Sequence, residues 1–126
     1  MRLMIGVFIG LGLLIGAGFW MNDWLLDSSV RLVQQIEVVH EQIECGNWAE
    51  ASFQVDELER KWDKEAKWWP VFLEHQEMDN IEFSLARCKE YVSRRDDALS
   101  MGQLAETRVM IEHIPRKEEI TLENIL

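Results

Sequence analysis

The stretch that decides the reading is LMIGVFIGLGLLIGAGFWM, Leu3 to Met21: nineteen residues without a charge, preceded by Arg2 and followed by Asn22 and Asp23. At about 1.5 Å of rise per residue it reaches roughly 28 Å as a helix, close to a hydrocarbon core of about 30 Å. A buried core helix is a poor alternative, because a chain of 126 residues can hardly enclose a helix that is apolar all round. A cleaved signal peptide, with Gly16 and Gly18 as its small residues, competes with a retained anchor. The apolar run exceeds the usual length of about 7–15 residues and its basic start is thin, so an anchor is expected.

Orientation follows from the flanks. Arg2 and the amino terminus are the positive side, and Asn22, Asp23 and Asp27 precede the first basic residue beyond the span, Arg31. Positive flanks stay in the cytoplasm, so the bulk of the chain is expected outside it, as a single-pass protein of the cell membrane. Trp20 and Trp24 then fall at the headgroup level that indole prefers. Gly6, Gly10 and Ala17 share one face of the span and Gly12 and Gly16 a second; small residues spaced in this way let another membrane helix approach closely.

All 23 acidic residues lie beyond the span, against 12 of the 13 basic ones, a charge near −11. That charge repels phosphate and comes with no basic stripe, which excludes nucleic acid as a partner. It suits a face that meets a basic partner or divalent cations.

Residues 23–115 read as one small domain of four helices. From about Trp24 to Glu44 the apolar positions are Leu25, Leu32, Ile36, Val39 and Ile43, with Ser29 in the gap, spaced alternately four and three as in packed helices. Gly46 and Asn47 supply a stop and a new cap. The second segment gives Trp48, Ala51, Val55, Leu58, Trp62 and Trp69, with Glu65 in the empty slot, and sets Asp56, Glu57 and Asp63 four residues before Arg60, Lys61 and Lys67. Pro70 is expected to open the third helix, with a seam of Val71, Met78, Ile81, Leu85, Cys88 and Val92. After an aspartate-capped turn at Arg95–Asp97 the fourth helix carries Met101, Leu104, Ile111 and Ile114, widened by Ala98, Ala105 and Val109, and Pro115 is expected to end it. A tail, 116–126, adds one turn capped by Thr121. Short turns between helices of similar length predict antiparallel neighbours, so the fold class is all-α: a transmembrane helix continuing into an up-down bundle.

In such a bundle Trp68, Trp69 and Pro70 return to the level of Trp20 and Trp24, and the tail residues Ile120, Leu122, Ile125 and Leu126 do the same. Trp48, Trp62 and Trp69 occupy seam positions, which favour the core, and Trp62 and Trp48 are expected there. Trp68 lies off the seam and is the residue expected at the membrane interface.

Chemical sites are few. His75, Asp79 and Glu82 share a face of the third helix, an imidazole with two carboxylates that suits a divalent cation, set against the ordinary reading as exposed helix pairs. His40 and His113 have no nucleophile or acid at a telling spacing, and there is no phosphate-binding glycine loop or triad pattern. Cys45 and Cys88 both fall outside the cytoplasm, where a disulfide is allowed, although Cys88 sits on a seam as a small apolar residue would.

Trp68-Trp69, Phe72, His75, the run Glu77 to Glu82, and Ser84 to Arg87 carry a resemblance that the rest of the chain extends. With Gly46-Asn47-Trp48, His113-Ile114-Pro115 and the ending Thr121 to Leu126, nearly the whole chain resembles a family of small membrane-anchored bacterial proteins, domain of unknown function 4363. That family has no assigned activity, so the resemblance implies an anchor, a helical outer domain and a membrane partner, and no catalytic residue. The chain is thus expected to be a non-enzymatic, membrane-anchored interaction module without a cofactor, an accessory subunit beside an integral membrane protein. A homo-oligomer is also compatible with the sequence, and a ligand or metal-ion sensor acting through a membrane partner is the alternative.

Overall fold

The computed structural model describes the backbone of residues 1–71 and 73–125 and the side chains of 1–70 and 73–115. Its elements are α1 (Arg2–Glu44), α2 (Trp48–Glu65), a 3-10 turn at Trp69–Val71, α3 (His75–Ser93) and α4 (Asp97–Ile125), with no strand among the described residues. The seam position of Val71, the Thr121 cap and the tail contacts expected of Ile120, Leu122, Ile125 and Leu126 lie outside the described side chains.

α1 is one uninterrupted helix of 43 residues, so the apolar span and the first helix of the bundle share an axis. Its outer half buries Leu25, Leu32, Ile36, Val39 and Ile43, the heptad seam read from the sequence, with Ser28, Ser29 and Gln35 buried alongside. The helix stops where expected. Gly46 takes φ +71°, a left-handed backbone that glycine adopts without penalty, and the Asn47 side chain accepts the Glu50 amide at 3.3 Å to start α2.

Polar pairs fix the direction of each helix. Gln35 of α1 donates to the Gln54 carbonyl (3.0 Å) and side chain (2.8 Å) of α2, and further down Arg31 pairs with Glu65 at 2.9 Å, so α2 descends as α1 rises. Lys89 of α3 reaches Asp56 and Glu59 of α2, and Arg108 of α4 pairs with Glu37 of α1. α1 packs on α2 and α4, and α3 on α2 and α4, which closes an antiparallel four-helix bundle. The acidic residues of α2 therefore reach outward: Asp56 meets Lys89 across the groove, Glu57 meets Arg60 one turn on, and Lys61 donates to Gln35 at 2.8 Å.

Two expectations about prolines need correction. Pro70 does not open the third helix; it lies in the 3-10 turn, and α3 begins at His75 after Glu74 in extended backbone (φ −68°, ψ 147°). The reason is the Trp69 ring, fully buried edge-to-face against Trp62 with centroids 5.1 Å apart, which draws the chain under the bundle before α3 can start. Leu73, also buried, pins the far side of that turn.

Pro115 does not end α4, which continues to Ile125. A proline inside a helix removes the amide that would bond the carbonyl four residues back, here that of Ile111. The Ser29 hydroxyl of α1 donates to that carbonyl at 3.2 Å in a buried setting, so a neighbouring helix satisfies what the proline leaves open.

The face of α4 also differs from the expectation. Ala98, Ala105 and Val109 are exposed rather than widening the core face. The buried positions are Ser100, Leu104, Thr107, Ile111 and Ile114, spaced four and three, with Gln103 beside them. The sequence hides this seam because two of its five members are polar. Thr107 is satisfied within the α3–α4 pair, where Gln103 donates to Ser84 (2.6 Å), Ser84 and Thr107 share a hydrogen bond, and Thr107 donates to the Gln103 carbonyl (2.8 Å), while the buried Ser100 hydroxyl finds no partner among the described residues.

Ser29→Ala strands a buried carbonyl and is expected to cost about 1–2 kcal/mol of unfolding free energy for the full chain in detergent micelles. In a Pro115→Ala background, where the residue-115 amide can bond Ile111, the same change should cost less than half as much. Equal costs in the two backgrounds would show that the hydroxyl does not serve that carbonyl.

Candidate functional site

The apolar stretch of α1 finds no cover in the fold. It is long and apolar enough to cross a membrane, and none of that window is buried against the rest of the chain. At Gly6 and Gly10, nothing lies within 4 Å of where a side chain would begin. With Ala17 they form an open strip that no helix among the described residues covers.

At the bundle end of that span the tryptophans separate in a way that departs from the sequence expectation for Trp24, expected at the membrane interface, and for Trp48, expected in the core. Trp62 and Trp69 are core, while Trp48 and Trp24 are half-buried against it. Trp20 and Trp68 are exposed, at 70% and 66%. The Arg31–Glu65 pair sets the register: Trp68, three residues past Glu65, comes level with roughly residue 28 of α1 at about 1.5 Å per residue. It stands about 10 Å beyond Met21 along the helix axis.

Glu65 is the polar residue in the seam of α2. Ser28 donates to one of its oxygens at 2.7 Å and Arg31 to the other at 2.9 Å. The hydrogen bond from Arg31 outweighs the cost of partial burial and lowers the Glu65 carboxyl below its usual range, while raising Arg31 above its own. The stability this pair provides is complete at neutral pH and is lost as acid protonates Glu65 through that lowered value.

His75, Asp79 and Glu82 are all exposed on the outer side of α3. Among the described residues no three His, Cys, Asp or Glu side chains come together in a way that would hold a metal ion. Cys45 and Cys88 are separate free thiols, the first exposed in the turn after α1 and the second buried at Thr107, 3.5 Å away. Burial pushes the Cys88 thiol up to about 11.

Two grooves flank α4. One, about 300 Å³ between α3 and α4, is floored by Ile81, Met110 and Ile114 and edged by Glu77, Asn80 and His113. The other, about 400 Å³, lies between α1 and α4 just above the span, lined by Leu26, Val30, Val33 and Pro115. The sequence reading passed over this second groove, although Leu26 and Val30, four apart and off the buried seam, were a legible sign of it.

A family model for a domain of unknown function, DUF4363, matches residues 19–125. The chain belongs to the DUF4363 family. No curated protein and no solved structure matches it. The match covers the whole bundle and starts within the last turn of the apolar stretch.

Trp69→Ala is expected to lower stability by about 3–5 kcal/mol, as large core truncations do, whereas Trp68→Ala leaves helicity and melting temperature near those of the parent chain. Circular dichroism melts of both variants check this, and a large loss at Trp68 would place it in the core. With a maleimide at pH 8, Cys45 should label promptly and Cys88 only through unfolding. Because the unfolded thiol ionises near 9.0 and the folded one near 11, stability should fall as pH rises between them. Equal labelling rates for the two thiols would contradict the burial of Cys88.

Proposed function

We propose that this DUF4363 protein is a non-enzymatic, single-pass interaction module. Residues 1–22 anchor it in the cell membrane with a short cytoplasmic start, residues 23–115 form the extracytoplasmic bundle, and 116–126 make its tail. Its role is that of an accessory subunit, docked on an integral membrane protein through the open glycine strip of its span and the membrane-facing base that Trp68 marks. The observation that carries this is the uncovered apolar half of α1. Leaving that surface in water would cost far more than a small bundle could offset, so lipid or a second membrane helix has to cover it. The described residues beyond that apolar half offer buried hydrogen bonds and surface ion pairs that serve the fold.

A sensor of small ligands is the second reading, favoured only by the apolar α3–α4 groove edged with Glu77 and His113.

The chain should resist alkaline carbonate extraction from native vesicles. Protease added outside intact cells should digest the bundle and leave the apolar segment. Crosslinking in native membranes should return a reproducible multi-pass protein. Release by carbonate, or protection of the bundle in intact cells, would end the anchored, outward-facing reading.

A further inference from the structure

The α1–α4 groove is a surface that the bundle does not use. Leu26 and Val30 are 45% and 46% exposed there, beside the half-buried Val33 and the ring of Pro115. At 100° per residue, Phe8, Gly12, Ile15, Phe19, Leu26 and Val30 fall within an arc of about 60° on α1. Since α1 has no break, the groove and this stripe of the span are one continuous surface. Val30 stands about 14 Å past Met21, beyond a headgroup layer of about 5–8 Å, so lipid does not reach it. An occupant able to cover the whole stripe is a helix that leaves the membrane and continues for about two turns.

Charge selects between a second copy and another protein. Glu37 and Glu112 edge the groove and share one cation, Arg108, and Asp23 and Asp27 stand exposed on the adjoining flank of α1. Two copies packed side by side on this stripe would bring these acidic flanks against one another. A basic helix would find them complementary.

Resting on the anchored-module reading above, we infer that the α1–α4 groove receives a membrane-spanning helix of a different protein. That helix carries its apolar face about two turns beyond the bilayer and places a Lys or Arg opposite Glu112 and Asp27. It lies on the Gly12 side of the span.

A photoreactive phenylalanine analogue at Val30 in the full chain, irradiated in native membranes and mapped by mass spectrometry, tests this. The expected adduct lies within about two turns of the outer end of another protein's membrane span, with a Lys or Arg in the same segment. Glu112→Lys combined with Asp27→Lys should reduce its yield at least fivefold without lowering the melting temperature by more than a few degrees. An adduct to a second copy, to lipid or to a soluble protein, or no adduct, overturns the inference, as does an unchanged yield in the charge-reversed variant. The same probe at Gly10 and at Trp68 separates the two proposals: protein adducts at those positions alone would leave the module standing and remove the groove. Silence at all three would remove both.

Discussion

A single unbroken helix changes its pattern without changing its axis, from a half long and apolar enough to cross a membrane to a half that belongs to the bundle, and the rest of this structure depends on that constraint. In its first half α1 is apolar on every side, and beyond Asn22 its buried apolar residues narrow to one seam. Because no turn intervenes, the rotational setting of the bundle is tied to that of the span. The face that receives α2 lies above the Gly6–Gly10–Ala17 side, where Gln35 and Arg31 point, and the face beside α4 lies above Gly12 and Phe19. Any protein that grips the span therefore meets a defined side of the bundle.

Glycine and β-branched residues in the apolar half would weaken a helix in water, whereas in hydrocarbon every backbone group left unpaired would cost several kcal/mol. The same accounting governs the one place where the bundle breaks a helical hydrogen bond. Pro115 opens the Ile111 carbonyl close to the membrane end of α4, and Ser29 closes it from α1. Ser29 occupies a heptad position that a larger apolar residue would otherwise fill. Serine there exchanges packing area for a hydroxyl within reach of α4, which explains a gap in the seam that apolar periodicity alone leaves unexplained. The Ser28 hydroxyl one residue earlier serves Glu65 of α2 in the same way, so adjacent serines tie α1 to both neighbours at one level.

Much of the fold was legible because three of the four seams are written in apolar residues. α1, α2 and α3 bury what a four-three spacing marks, with the Gly46 and Asn47 stop and the Asp96 cap, which accepts the Leu99 amide at 2.9 Å, in their expected places. What was not legible involves satisfaction by partners distant in sequence. Thr107 looks like a surface residue until Ser84, 23 residues away in sequence, is brought to it. Pro115 looks like a stop until Ser29 is brought across from α1. Local rules score a proline or a serine by what the residue itself loses, and the compensation sits on another helix. The groove beside Leu26 and Val30 escaped for a related reason, because only the packing of α4 decides which exposed apolar residues line a cleft and which merely meet water.

The distribution of polar groups bears on what kind of work such a bundle can do. Apart from Ser100, its buried polar residues are hydroxyls and amides that bond across helices, Ser84, Gln103 and Thr107 to one another and Ser28, Ser29 and Gln35 to neighbouring helices, and its charges sit at the surface in short ion pairs such as Arg94 with Glu90 and Lys89 with Glu59. Exposed pairs of this kind contribute little to stability, so the excess of acid is tolerated by the fold rather than required by it. The larger uncompensated features are instead interfacial: an apolar helix without cover, an exposed indole at its mouth, and a cleft that continues the same helical stripe upward. They lie along one side and one end of the molecule. A second helix laid along the Gly12 and Phe19 side of α1 would cover that stripe and the cleft together, and the bundle would then serve to hold it upright beyond the apolar half.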